Sequence, residues 1–265
     1  MQAFNYHRPA TLADAASLAA GADAKLLAGG QSLVQAMKVG LSSSTDLVDL
    51  GALKDLAAIA SDGEVVTVGA MARHADVAES SSVKQSIPAL AQLAAAIGDR
   101  QVRNLGTLGG SIANNDPAAD YPAGVLALRA TIVTTQGEHE ADEFFRGIFE
   151  TALKPGEIIT AVRFPKPARA GYAKFRQPAS RFALVGVFVA ETATGVRVAV
   201  TGAGPCVFRV PEMEKALTAR FAPDAVADIT VKPDGLNSDI HAAADYRAHL
   251  VTVMAKRAVQ AALGS

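Results

Sequence analysis

The sequence predicts an α+β protein: a mixed region of about 168 residues in which strands and helices alternate, then a strand-rich region that closes in helices. Three observations carry this. Up to Phe164, short apolar runs are interleaved with alanine-rich segments of helical period. Pro165-Lys166-Pro167-Ala168 then reads as a linker. Beyond it, Tyr172–Arg176, Ala183–Glu191 and Val196–Thr201 follow one another as three antiparallel strands with no helix between them.

Each element has a local reason. Phe4–Tyr6 before Pro9 reads as a short strand, and Thr11 or Asp14 opens an alanine-rich helix ending near Gly21. Ala24–Ala28 is a brief apolar strand that runs into Gly29-Gly30. Leu33, Val34, Ala36 and Met37 suit a short helix or turn, and Thr45–Leu50 another strand. Ala57–Ala60, the turn Ser61-Asp62-Gly63 and the alternating Val65, Thr67 and Gly69 predict a hairpin. Helices are expected over His74–Glu79 and after Pro88, the second with Leu90, Leu93, Ala94 and Ile97 on one face and Gly98 at its end. Asp116-Pro117 reads as an N-cap with proline at the first helical position, opening a helix that carries Val125, Leu126 and Leu128. Strands are expected over Thr131–Thr135 and Ile158–Phe164. In the last third, a turn at Thr194-Gly195 joins two strands, and helices cover Met213–Ala219 and His241 to about Leu263.

Composition narrows the function. The chain has 265 residues, 50% of them hydrophobic, enough for two moderate domains with buried cores. A formal net charge of −1 gives no electrostatic reason to expect nucleic acid or an anionic membrane as partner. The small group Arg100/Arg103 reads as a solvated edge or a local anion contact. Cys206 is the only cysteine, so neither an internal disulfide nor an iron–sulfur cluster can be built from this chain, and Cys206 is expected to pack. No apolar run approaches the roughly 20 residues that cross a bilayer. The N-terminus lacks a basic stretch followed by an apolar one, so a soluble, cytoplasmic protein is expected. His7, His74, His139, His241 and His249 are dispersed without metal-ligand spacing and are expected at ordinary surface or helix positions.

Two glycine loops carry the chemistry. In Leu26-Leu27-Ala28-Gly29-Gly30-Gln31-Ser32-Leu33 a strand ends in paired glycines and small polar residues. Glycine lets successive N–H groups converge on one anion, and Ser32 can add a hydroxyl donor. An ordinary tight turn would explain that loop equally well. Thr107-Leu108-Gly109-Gly110-Ser111, with Asn114 just beyond, repeats the ingredients ahead of a capped helix. Two such nests could hold the two phosphates of a dinucleotide, and Asp120 offers an acceptor-only carboxylate for sugar hydroxyls, although taken alone it is more commonly an exposed acidic residue in a first helical turn. Gly202-Ala203-Gly204 is no Rossmann fingerprint, because Val207 replaces the third glycine and Pro205 removes an N–H; it reads as a plain turn.

The segments AGGQSLVQAMKVGL (Ala28–Leu41) and VRNLGTLGGSIANNDPAADYPA (Val102–Ala123) resemble the two FAD-binding loops of the medium subunit of the xanthine dehydrogenase/carbon monoxide dehydrogenase family, in order and separation. The likeness continues through Gly171–Val187 and the C-terminal DIHAAADYRAHLVTVMAKRAV, so it spans nearly the whole chain. It implies a vanillyl-alcohol-oxidase-type (PCMH-type) FAD-binding domain over residues 1–168, made of two αβ subdomains at about 1–55 and 56–168. A C-terminal domain with a three-stranded antiparallel sheet and helices would cover 169–265.

The resemblance also implies residue roles. The family's loops fall on Leu26–Leu33 and Thr107–Ser111, with Asn114 nearby, and its acidic ligand of ribityl or ribose hydroxyls falls on Asp120. Ile97 and Ile159 match apolar contacts of the flavin. Lys174, or Arg176, matches a basic residue near the ring, and Phe182 would shield a ring face; burial in the core would explain Ile97, Ile159 and Phe182 equally well. Ser111 stands where relatives often carry Asn or Asp. No residue is assigned a catalytic proton transfer. The implied function is electron transfer from two [2Fe–2S] clusters of a small subunit, fed by a molybdopterin-type cofactor in a large subunit, through FAD to an external acceptor. The implied assembly is a dimer of heterotrimers. A stand-alone flavin oxidase and a non-catalytic nucleotide-binding module are the alternatives.

Overall fold

The computed structural model describes residues 2–264 and contains three main sheets. The first is parallel and three-stranded, with Asp46–Asp49 between Asn5–His7 and Ala24–Leu27. The helix Leu12–Ala19 connects the outer strands. Thr11 caps it, accepting from the Asp14 N–H at 3.1 Å, and Ala15 and Ala19 face the core. Small side chains here let the helix lie close to Val48, Leu50 and Leu53.

The second sheet is antiparallel, in the order Ile59–Ser61, Val65–Gly69, Ile159–Pro165, Thr131–Thr134, Gly137–Glu140. The hairpin at Ser61-Asp62-Gly63 forms as expected, with Asp62 accepting from the Glu64 and Val65 amides. The helix His74–Glu79 has the expected bounds, and Pro88–Ala95 buries Leu90, Leu93 and Ala94.

The third sheet has four strands rather than three: Arg169–Arg176, Ala183–Thr192, Gly195–Thr201 and the short Phe208–Arg209. The fourth was missed because two residues carry no periodic signal. Along Ala183–Thr192, Phe188 and Ala190 enter one core while Val185, Val187 and Val189 enter another. A strand covered on both faces reads as an unbroken apolar run, and this one does. The helix Ala244–Leu263 covers the second face through Val251, Met254 and Val259.

The first face belongs to a core that also includes Val66, Leu90, Leu93, Tyr121 and Val162. Hydrophobic packing therefore runs continuously across Pro165–Ala168. That stretch is not a loose linker: Lys166 N–H donates to Glu64 O and Ala168 N–H to Glu191 O, at 2.7 and 2.8 Å.

The largest departure concerns the second glycine segment. Thr107 caps a helix over Leu108–Asn114, so Gly109 and Gly110 lie inside its first turn. Asn115, at φ 44°, ends that helix in the left-handed region. Asp116-Pro117 is then a turn, with Asp116 Oδ1 accepting from Ala118 N–H, and the next helix covers Tyr121–Ala127. The helix expected from Asp116 starts at Tyr121 instead, because Asp116 Oδ1 closes a local turn on Ala118 N–H rather than capping a helix.

Candidate functional site

A cleft of about 700 Å³ opens between the first sheet, the helix Leu108–Asn114 and the segment Thr151–Ile159, with Ser180–Phe182 on its rim. Its two walls are the glycine segments, which touch each other. A Cβ on Gly29 would stand 2.0 Å from the carbonyl oxygen of Leu105, and one on Gly110 would stand 3.4 Å from the Ala28 Cβ and 2.9 Å from Thr107 Oγ1. A Cβ on Gly109 would overlap Ala70. Close backbone approach thus requires Gly29 and Gly109 independently of any ligand, whereas Gly30 takes φ 70° to turn the chain.

The two segments differ in what they offer. Among the described residues, the N–H groups of Gly29, Gly30, Gln31, Ser32 and Leu33 have no acceptor; intrahelical bonding begins with Val34 N–H to Gly30 O. That is an open run of donors at a cleft wall, the arrangement that binds oxyanions. In the second segment the amides are already used: Leu108 donates to Ala72 O, Gly109 to Ala70 O, Gly110 to Thr107 Oγ1 and Ser111 to Thr107 O. The second segment is therefore not the open nest expected from its glycines. It presents the side chains of Ser111 and Asn114 to the cleft instead.

Asp120 lies at the end of the cleft and is buried, 4% exposed. Its carboxylate accepts from Tyr172 Oη at 2.5 Å and pairs with Lys174 Nζ at 2.8 Å. Burial pushes this carboxyl above the ordinary carboxylate range, against the downward pull of the Lys174 ammonium and the Tyr172 hydroxyl. A carboxylate has about four lone-pair sites, so capacity remains for a ligand hydroxyl.

Residues 2–167 match the family model described as the FAD binding domain in molybdopterin dehydrogenase. The chain belongs to this family. It is 35% identical over 274 residues to the nicotine 6-hydroxylase medium subunit of Paenarthrobacter nicotinovorans, covering 98% of this chain and 97% of that one. It is 34% identical over 279 residues to the carbon monoxide dehydrogenase medium chain of Hydrogenophaga pseudoflava, covering 98% and 96%. The structure of carbon monoxide dehydrogenase from H. pseudoflava lacking the Mo-pyranopterin moiety of its molybdenum cofactor contains a chain of TM-score 0.88 and 33% identity, over 99% of this chain and 98% of that one.

As an FAD-binding medium subunit of the molybdenum hydroxylase family, the chain passes the test its own geometry sets. The unpaired amides of Gly29–Leu33 suit a phosphate, the buried Asp120 suits a polyol, and Ile97 and Ile159 add apolar wall. The cleft gathers Leu26, Ala28–Leu33, Ile97, Thr107, Gly109, Gly110, Ser111, Asn114, Asp120, Ile159 and Phe182. It does not gather Leu27, Leu108 or Lys174. Leu27 ends its strand outside the lining, Leu108 is fully buried in the core, and Lys174 pairs with the lining residue Asp120.

Several cleft residues escaped the sequence reading. His74 is 5% exposed and Nδ1 has no partner among the described residues; burial, with Arg103 nearby, lowers its pKa to about 4 and keeps the ring neutral. Glu157, also buried, accepts from Thr134 Oγ1 at 2.6 Å, from Lys154 N–H and from His139 Nε2. His74 thus opens a helix, within the expected surface-or-helix range, but is buried, whereas His139 lies in a strand and pairs with Glu157. Arg103 is half-buried, and its Nη1 donates to the carbonyls of Ile97 and Gly98, while Arg100 is exposed.

Proposed function

We propose that this chain holds FAD in the cleft between its two glycine segments and passes electrons within a molybdenum hydroxylase complex. They would arrive from [2Fe–2S] centres in a small partner subunit, fed by molybdenum chemistry in a large one, and leave to an external acceptor. The observation that carries this reading is the open run of amides Gly29–Leu33, set against Ser111 and Asn114, in a chain of this family. FAD, when bound, supplies a carrier that takes two electrons and releases them singly.

The chain's own residues bind, orient and exclude water. Gly29–Leu33 would donate to one side of the pyrophosphate while Thr107, Ser111 and Asn114 offer side-chain donors from the other. Lys174 and Tyr172 fix the Asp120 carboxylate, so that it can accept sugar hydroxyls without reorienting. Ile97, Ile159 and the rim residue Phe182 would keep water from the ring. In this reading residues 1–168 form the PCMH-type domain, with subdomains at about 1–55 and 56–168, and residues 169–265 form the C-terminal domain. The complex would be a cytoplasmic dimer of heterotrimers.

The visible spectrum of the purified complex tests the assignment. A flavin spectrum with about one FAD per chain, lost together with the Gly29–Leu33 amide geometry, is expected. A colourless protein that takes up no added FAD would refute it, and substrate turnover by the isolated chain would refute the subunit role.

A further inference from the structure

The cleft wall over Thr151–Ile159 contains a carboxylate held in an unusual way. Glu157 is buried, its side chain 1% exposed, yet among the described residues no lysine or arginine pairs with it. Burying a carboxylate costs free energy unless hydrogen bonds replace the lost water. Three donors do so, from three places in the chain. Thr134 Oγ1, at the end of the strand Thr131–Thr134, donates to Oε1 at 2.6 Å, and His139 Nε2, on the strand Gly137–Glu140, donates to Oε1 at 2.7 Å. The Lys154 N–H donates to Oε2 at 2.8 Å. Burial pushes this carboxyl up, but the three donors outweigh burial and hold it below the ordinary carboxylate range, so it is ionised.

What the carboxylate fixes is the pair of residues after it, both of which line the cleft. Ile158 enters the core that holds Val48 and Leu50 and backs Leu26, at the head of the first glycine segment. Ile159 enters the core that holds Leu108 and Ile112, on the helix of the second. That helix packs against the strand Ile159–Pro165. One peptide bond therefore joins the supports of the two cleft walls. Thr134 is the cross-strand partner of Ile159, so its bond to Glu157 ties Ile159 to the neighbouring strand. The register slips between Ile159 and Ala161, a bulge of the kind that re-aims a side chain. Ile158 exchanges hydrogen bonds with Thr135, its N–H to Oγ1 at 3.1 Å and Thr135 N–H to its carbonyl at 2.9 Å. On the other side of Glu157, a Cβ on Gly156 would stand 3.2 Å from Ala20 Cα, so the loop also abuts the end of the first helix.

We propose that Glu157 is a positioning residue of the flavin site: gripped by Thr134, His139 and the Lys154 N–H, its carboxylate fixes Ile158 and Ile159 and, through them, the separation of the two glycine walls. The proposal rests on the FAD reading above. Glu157 acts through its neighbours and not on the ligand, since its side chain is 1% exposed. The consequence for the flavin is a tight apolar wall at Ile159, which limits the water that reaches the ring and so bears on its potential.

Dilution of the purified holoenzyme complex, followed by the return of free-FAD fluorescence, tests this, with the flavin midpoint potential and Tm measured on the same samples. Glu157→Met keeps the length of the side chain but accepts no hydrogen bond, and should release FAD about tenfold faster. A loosened Ile159 admits water and favours the more polar reduced ring, so the potential should rise; a tenfold shift of a two-electron equilibrium is about 30 mV. Glu157→Gln can accept from the Lys154 N–H and donate to Thr134 Oγ1, and should return both readings to within about threefold of wild type. Thr134→Val removes one donor from outside the cleft and should speed release about threefold. If Glu157→Met lowers Tm but leaves release and potential at wild-type values, the carboxylate only stabilises the fold and the proposal is overturned. If that variant fails to assemble, Thr134→Val decides, and wild-type release and potential there overturn it equally. A wild-type complex devoid of FAD refutes the flavin reading and this proposal together, whereas variants that match a flavin-bearing wild type refute the proposal alone.

Discussion

Replacing Lys174 with methionine should destabilise the FAD-free chain by about 3–5 kcal/mol at pH 7.5, because it strands a buried carboxylate. Lys174 Nζ lies 2.8 Å from Asp120 Oδ1, and the two side chains are 2% and 4% exposed, so solvent cannot replace the lost partner. Only the Tyr172 hydroxyl would remain on the carboxylate. The deficit must depend on pH with a definite sign. Burial already raises the Asp120 pKa, and removing the ammonium raises it further. A carboxyl whose folded pKa exceeds its unfolded value of about 3.9 contributes stability below that value and loses it as pH rises toward the folded pKa. Protonation relieves the stranded charge, so the deficit should be smaller at pH 5 than at pH 7.5. Asp120→Asn added to Lys174→Met removes the stranded charge and should recover most of the stability. Urea unfolding at the two pH values, referred to wild type at each, measures this. A deficit under about 1 kcal/mol at pH 7.5, or one equal at both pH values, would show that the pair is not buried as described.

Other expectations follow from the same cleft. Gly29→Ala puts a Cβ 2.0 Å from a backbone oxygen that cannot move alone; a stability loss at or above the roughly 1–3 kcal/mol of ordinary overpacking is expected, and an unchanged Tm would refute the close packing of the two segments. Gly110→Ala crowds Thr107 Oγ1 at 2.9 Å, so it should cost about 1 kcal/mol through the helix cap as well as flavin content, measured by thermal melting and absorbance together. Asp120→Ala should weaken flavin retention by about 1.5–3 kcal/mol, read by FAD titration, and normal affinity would remove Asp120 from the site. His74 has a folded pKa of about 4, below its unfolded value, so its contribution is present above about pH 6.5 and is lost as pH falls toward 4. His74→Leu should therefore flatten the acid limb of the stability profile by roughly 3 kcal/mol, and an identical acid limb in both proteins would contradict a neutral buried His74.

What could be read from the sequence was local, and what could not was relational. The helix His74–Glu79, the hairpin at Asp62 and the strand Ala183–Thr192 follow from period and turn chemistry alone. The first glycine segment was legible as a turn able to bind an anion, although its Gly29 answers first to Leu105 across the gap between the segments. The second was misread because a nest and an N-terminal helical turn call for the same residues: a hydroxyl, two glycines and another hydroxyl. What separates them is where the amides go, and here they go to Ala70, Ala72 and Thr107. Asp120 reads in the sequence as a carboxylate for hydroxyls, but its partners Tyr172 and Lys174 stand 52 and 54 residues away. No window along the chain could show that it would be buried and ion-paired. This changes what the two segments do. In the proposed site the first would supply the charge-binding backbone, and the second, capped by Thr107 and seated on Ala70, would hold side-chain donors and Asp120 opposite it. The specificity of the cleft therefore rests on the second segment's packing as much as on its polar groups, which is why substitutions at its glycines should alter stability and flavin content together.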